Sequence, residues 1–265
     1  MPVMTTRGVP VGVMSLCYVA NSMPDDAQTR YAGSLAFAWA GAAVFGVSLL
    51  YAAYSYAVRF DHLPPRFSWP AAVACNVALF ATFALHHSLL ARPGFKAAVA
   101  RRAGPAIERS IYTWTASLLF LATCRLWQPI AVTLYALDQP WRGAGYAVQC
   151  IGVILTIQSS ARLDVFDLAG VRQVQQARAG AHPRHVALET DGVYGFVRHP
   201  LYFAWILLVF GAPVMTGTKL AFAILSTGYL AVAIPWEEQS LIRIFGVDYE
   251  AYRRRVRWRM LPGIY

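Results

Sequence analysis

Residues 31–58 read YAGSLAFAWAGAAVFGVSLLYAAYSYAV, a run without a single Asp, Glu, Lys, Arg or His. A helix needs about 20 consecutive apolar residues to cross a hydrocarbon layer of roughly 30 Å, where no solvent can satisfy an unpaired backbone group. This run exceeds that length. Residues 68–91 repeat the pattern, with only His86 and His87 near the far end. Residues 110–126 are shorter and include Arg125, which can snorkel to the interface beside Trp127. Residues 143–161 form a fourth candidate, and residues 199–218 and 220–236, on either side of Lys219, read as a tight helical hairpin. Residues 8–24 are also uncharged, but Gly, Pro, Asn and Ser interrupt them. They read as a loose or interfacial arm, with a cleaved signal peptide as the alternative. The expected fold class is all-α: an integral membrane helical bundle of about six spans (five to six), with residues 1–30 as an N-terminal arm and residues 31–265 as the membrane domain.

Composition agrees. Of 265 residues, 57% are hydrophobic and 14% charged, and the mean hydropathy is +0.44, which excludes a disordered chain and disfavours a soluble domain. The net charge of +10 suggests a polyanion until it is mapped onto the segments. Of the 23 Lys and Arg, 18 fall on one side of the six-span arrangement and 5 on the other. That asymmetry orients a membrane protein, placing both termini and the large loops in the cytoplasm of an inner-membrane protein, so the charge calls for a lipid bilayer and for no nucleic acid. Cys17, Cys75, Cys124 and Cys150 are too far apart for a metal-binding pair.

Chemistry is expected at the cytoplasmic side, where the titratable residues collect. The stretch Gly192-Val193-Tyr194-Gly195-Phe196-Val197-Arg198-His199-Pro200-Leu201-Tyr202 has a proline suited to the first turn of a helix. Arg198 and His199 then sit just outside that turn, where free N–H groups and the helix dipole suit a carboxylate or phosphate; a simple headgroup anchor is the alternative. Glu237 and Glu238 stand at the far end of the last span, where the dipole disfavours acids and a cationic partner is needed. Arg198 is the obvious partner for one, leaving the other to face a ligand that carries both a carboxylate and positive groups, as S-adenosyl-L-methionine does. Beyond them, Leu241, Phe245, Tyr249, Tyr252 and Val256 form a helical stripe broken at Gly246 and surrounded by arginines, expected as an amphipathic interfacial helical segment.

The order Arg198-His199-Pro200-Leu201-Tyr202, then Glu237-Glu238 with Leu241, Phe245-Gly246, Tyr249 and Tyr252, then a basic run and Leu261-Pro262-Gly263, resembles the membrane methyltransferases that include isoprenylcysteine carboxyl methyltransferase and the phospholipid methyltransferases. His86-His87-Ser88 with Ala91-Arg92-Pro93, Glu108-Arg109-Ser110 with Tyr112, and Phe166-Asp167-Leu168 with Gly170 and Arg172-Gln173 narrow the resemblance to the methanethiol S-methyltransferase group, which overlaps the NnrU-type membrane proteins. It covers about residues 31–265. The resemblance implies methyl transfer from S-adenosyl-L-methionine to a small thiol, with Arg198, His199, Tyr202, Glu237 and Glu238 binding the cofactor. The chain departs from the pattern at His86, where Gln is usual, and at Ala169, where a bulky residue is usual, which bears on the acceptor pocket more than on the cofactor.

Thiol methylation needs a thiolate, and a small alkyl thiol is mostly protonated at neutral pH. His87 or His199 is expected to take the proton, and Arg109 or Arg172 to steady the anion; His87, Arg109 and Arg172 are the catalytic candidates. Each has a structural alternative: a buried helix–helix histidine, an interface anchor, and, against a lid formed by Asp167 and Arg172 in the 162–198 loop, a structural ion pair between those two. His182 and His185 offer too few ligands for a metal, and none is expected. Other acceptors, such as a prenylcysteine or a phospholipid, and a non-catalytic transport or regulatory role stay open.

Overall fold

The computed structural model describes residues 25–180 and 187–265. The N-terminal arm up to residue 24, and with it Cys17, lies outside the described residues, as do His182 and His185. The elements run α1 (Asp25–Ala57), α2 (Trp69–Leu90), α3 (Pro93–Ala103), α4 (Glu108–Leu126), β1 (Thr133–Ala136), α5 (Trp141–Ser160), α6 (Val165–Leu168), α7 (Val171–Ala179), α8 (Pro200–Phe210), β2 (Val214–Thr216), α9 (Gly217–Phe245) and α10 (Val247–Arg255). The protein is an α-helical membrane bundle carrying one small antiparallel strand pair, β1–β2.

Among the described residues, three helices are long and apolar enough to cross a membrane: Gln28–Asp61, Trp69–Leu90 and Gly217–Phe245. Helices α4 and α5, of 19 and 20 residues, are about 28–30 Å long but more polar. The expected span over residues 199–218 is different in kind. Helix α8 has 11 residues, about 16 Å, because Gly211 and Pro213 end it and the chain turns into β2. Large apolar side chains face outward, as lipid allows; Leu50, Trp69, Trp141 and Ile157 are all exposed. Where helices meet, small residues permit approach: a Cβ on Gly152 of α5 would lie 3.0 Å from the Ala204 carbonyl of α8.

Lys219 is not in a loop between spans. It lies in the first turn of α9, 5% exposed, with its Nζ 2.6 Å from Asp61 Oδ2. Around it, the bundle end is closed by side chains. Arg59 donates to the carbonyls of Cys124 and Arg125 at 2.8 and 2.7 Å, satisfying the open end of α4. Asn76 exchanges two hydrogen bonds with the Gln128 backbone, and Tyr56, Phe60, Trp127 and Phe222 pack edge to face. This end serves architecture.

At the opposite end, α9 does not stop at Trp236 but runs on to Phe245, so the first half of the expected interfacial stripe continues the span and only α10 is separate. Pro235 lies inside α9; lacking an N–H, it frees the Ala231 carbonyl. The Tyr265 hydroxyl donates to that carbonyl at 3.3 Å. The tail thus folds back along α9 beside the glutamate pair.

Candidate active site at the α8–α9 end

The residues singled out in the sequence meet at this end. Arg198 Nε donates to Glu238 Oε1 at 2.6 Å, and Nη1 donates to the carbonyls of Val256 and Arg257 at 2.6 and 2.9 Å. Both side chains are buried, Arg198 at 8% and Glu238 at 3% exposure. The expected pairing across the two helix ends is therefore present. Just outside α8 the backbone is tied to the tail: Arg198 N donates to Trp258 O at 2.9 Å and His199 N to Arg259 O at 2.8 Å. Nothing in the sequence signalled that a segment about 60 residues distant returns to this point.

Glu238 has further basic side chains around it. His199 Nε2 lies 3.6 Å from Oε1, and Arg259 Nε and Arg253 Nε lie 3.5 and 3.9 Å from Oε2. Glu237 points elsewhere, as the 100° step between successive helical residues requires. Its side chain is 44% exposed and stands 3.6 Å from His199 Nδ1, and it accepts a hydrogen bond from the Tyr202 hydroxyl at 2.7 Å. The His199 and Tyr202 rings stack, 5.3 Å apart and 10° from parallel. His199 Nε2 is buried without a hydrogen-bond partner among the described residues, and so is the Tyr249 hydroxyl. Burial pushes the Tyr249 and Tyr252 phenols of α10 above their ordinary range, with the neighbouring Glu238 adding to the effect at Tyr249.

A second polar cluster lies at the nearby end of α2. His87 Nδ1 is 3.0 Å and Ser88 Oγ 3.1 Å from the hydroxyl of Tyr229 on α9. Tyr112 donates to the His87 carbonyl at 3.5 Å, and its ring is 5.5 Å from the imidazole. Tyr229 and Glu237 stand eight residues apart on α9, about 12 Å along its axis, so the two clusters share one helix. Nothing in the sequence separated Tyr229 from the other aromatic residues of α9; only its contact with a helix 140 positions upstream marks it.

Arg109 borders this second cluster, its guanidinium 5.1 Å from the Tyr112 ring centroid, while its Nε donates to Leu168 O at 3.1 Å. It thereby ties the α6–α7 segment to α4, helped by Thr113, which donates to the same carbonyl. Gly170 lies so close to Ser110 that a Cβ there would meet its nitrogen at 2.6 Å, and its φ of +86° favours glycine. Arg172 pairs with Asp164 and is not brought to His87. Asp167 instead accepts from Gln173 at 3.1 Å. Asp164 also caps α6, accepting from Phe166 N and Asp167 N at 3.1 and 3.2 Å. Burial alone would raise its pKa, but the hydrogen bonds from Arg172 and the two backbone N–H groups hold it below the ordinary carboxylate value.

Asp164→Ala is expected to lose about 1 kcal/mol of local stability, read as faster amide exchange across residues 165–173 with α1 and α9 unaffected. Because the folded pKa is depressed, the ionised cap is fully effective above the unfolded value and is lost only as pH falls through the folded one. Exchange in the unsubstituted protein should therefore show no cap-related change between pH 5 and 8 beyond the intrinsic one.

Among the described residues no group of three or more His, Cys, Asp and Glu is arranged to hold a metal. The arrangement is a frame of buried charge, a half-exposed carboxylate with an aromatic stack, and a histidine held by a tyrosine near the end of α2.

Comparison with known proteins assigns this arrangement to a class. Residues 141–248 match the family model described as Phospholipid methyltransferase. A protein named Methanethiol S-methyltransferase from Mycobacterium tuberculosis is 34% identical over 226 residues, covering 82% of this chain and 92% of the relative. One of the same name from Crocosphaera subtropica is 36% identical, covering 70% and 73%. Protein-S-isoprenylcysteine O-methyltransferase from Dictyostelium discoideum is 31% identical over 36% of this chain and 45% of its own length. No solved structure matches. Shared identity over nearly the whole of a relative, together with buried ion pairing at the motif positions, means that this chain belongs to the methanethiol S-methyltransferase family of membrane methyltransferases and is an enzyme of methyl transfer.

Proposed function

We propose that the protein transfers a methyl group from S-adenosyl-L-methionine to a small thiol, methanethiol being converted to dimethyl sulfide. The sharing of helix α9 by the Glu237–His199–Tyr202 group and the His87–Tyr229 pair carries this reading, and the relatives' names give the acceptor. The residues fit the donor. Glu237 suits its ammonium and sulfonium charges, the His199–Tyr202 stack supplies a ring face, and the unpartnered His199 Nε2 and Tyr249 hydroxyl are polar atoms awaiting a ligand. Arg198 and Glu238 serve the donor indirectly by fixing the ends of α8 and α9.

When bound, S-adenosyl-L-methionine supplies an electrophilic methyl carbon on a positively charged sulfur. His87 takes the proton from the acceptor thiol, and Tyr229 and Ser88 set the ring's orientation by their contacts at and beside Nδ1. Arg109, its guanidinium 5.1 Å from the Tyr112 ring centroid, steadies the thiolate; Arg172 acts through the α6–α7 segment, which it braces by pairing with Asp164. The apolar bundle excludes water, and a small, membrane-soluble thiol can reach the site from the bilayer.

The topology that suits this chemistry has six chain segments across an inner membrane, residues 199–218 crossing as helix plus extended chain. The membrane domain begins near residue 31 after the N-terminal arm, with both termini and the site on the cytoplasmic side.

The test is to supply the purified protein with S-adenosyl-L-methionine and a panel comprising methanethiol, longer alkyl thiols, a prenylcysteine and phosphatidylethanolamine. S-adenosylhomocysteine and dimethyl sulfide should form together with methanethiol. Turnover confined to the prenylcysteine or the lipid would replace the acceptor, and absence of donor binding would end the proposal.

A further inference from the structure

Methyl transfer leaves one feature of this end unused. Helix α10 and the tail enclose a groove of about 620 Å³, lined by Arg198, Arg253, Arg254, Arg257, Arg259 and Glu250 together with Trp258. Its volume falls within the range of small-molecule sites, but its charge is one-sided, with five guanidinium groups facing one carboxylate. Arg198 is neutralised by Glu238, and Arg259 and Arg253 share the other oxygen of that carboxylate at 3.5 and 3.9 Å. Arg254 and Arg257 are exposed, and neither has an ion pair recorded among the described residues. Gathering like charges at the edge of a low-dielectric slab is unfavourable unless an anion joins them.

The groove's chemistry is wrong for the methyl donor, which carries two positive charges and one negative. It suits phosphate, whose oxygens match the planar fork of guanidinium. Its position narrows the source. The groove begins directly after α9, which ends at Phe245 and is long and apolar enough to cross the bilayer, and Trp258 is 39% exposed, as befits a side chain at headgroup level. On the orientation proposed above, on which this inference rests, the groove lies at the cytoplasmic interface, where anionic lipids supply phosphate.

We propose that this groove binds the phosphate of an anionic phospholipid headgroup, held chiefly by Arg254 and Arg257 with Arg253 and Arg259 beside them. The site is separate from the donor pocket and shares only the Arg198–Glu238 frame with it.

The experiment needs no turnover, so its failure is distinct from failure of the proposed reaction. The purified full chain in uncharged detergent is titrated with dioctanoyl phosphatidylglycerol, dioctanoyl phosphatidylcholine or inorganic phosphate while thermal unfolding is followed. Phosphatidylglycerol should raise the Tm saturably by about 4 °C or more, with little response to the other two. Arg254→Gln with Arg257→Gln should weaken the apparent affinity for phosphatidylglycerol at least about tenfold. Arg101→Gln with Arg102→Gln, exposed on α3, should not. If the double groove variant does not fold, Arg254→Gln alone replaces it, with a loss of about threefold or more expected. An equal response to phosphatidylcholine or inorganic phosphate, an equal loss in the α3 pair, an unchanged response in the groove variant, or displacement of phosphatidylglycerol by S-adenosylhomocysteine each overturns the assignment.

Discussion

Arg198→Met should lower the Tm by roughly 10 °C and abolish donor binding. The substitution removes the 2.6 Å contact with Glu238 and the two bonds to the Val256 and Arg257 carbonyls. Glu238 is then left 3% exposed with no direct hydrogen bond from an arginine among the described residues, beside Arg259 at 3.5 Å, His199 at 3.6 Å and Arg253 at 3.9 Å. Breaking one side of a buried pair costs about 3–5 kcal/mol where the remaining charge has no other partner; Arg253 and Arg259 hold the cost to the lower part of that range, and for a chain of this size each kcal/mol moves the Tm by about 2–4 °C. Arg198→Lys retains charge but not the fork that reaches three acceptors, so it should recover only part of the loss. Combining Arg198→Met with Glu238→Leu removes both charges and should restore much of the stability. It should not restore binding of S-adenosylhomocysteine, measured calorimetrically, since the ends of α8 and α9 are no longer fixed. A wild-type melting curve for Arg198→Met would show that the pair does not hold this end of the bundle.

The second large effect is expected at His87. His87→Ala should reduce kcat about a hundredfold or more, the usual contribution of a positioned general base, with donor affinity unchanged because the Glu237–His199–Tyr202 group is intact. Tyr229→Phe removes the hydroxyl 3.0 Å from Nδ1 but leaves the imidazole, so a loss of about tenfold is expected. A purely structural histidine would give the same deficit at every pH. A base would not: a simple thiol ionises unaided near pH 8.5 and above, so the deficit of His87→Ala should shrink steadily between pH 7 and 9.5. S-adenosylhomocysteine formation with saturating donor measures both. A pH-independent deficit would return His87 to the role of a packing residue and move the base to His199.

The helical membrane class was legible from length and hydropathy alone, because a chain in lipid must satisfy its backbone within itself. Arg198, His199, Tyr202, Glu237 and Glu238 could be grouped because each flanks the end of an apolar run, and ends at one face must lie close. Residues 199–218 were misread because an uninterrupted apolar composition does not distinguish a helix from a helix that gives way to a strand; Gly211 and Pro213 were the available warning, and pairing with Thr133–Ala136 is a tertiary event. Lys219 was taken for a loop charge because its partner, Asp61, is 158 positions away.

The amino-acid sequence by itself determined that this protein lives in a bilayer, where its charge collects, and which two motifs stand at the same end, all consequences of transfer free energy summed along local segments. Tertiary structure alone decided that the tail binds the backbone just before α8, that Tyr229 meets His87, and that Arg172 turns to Asp164. Those outcomes depend on which distant side chain arrives within 3 Å of a given donor, and hydrogen bonds reward proximity in space, of which order along the chain carries no record.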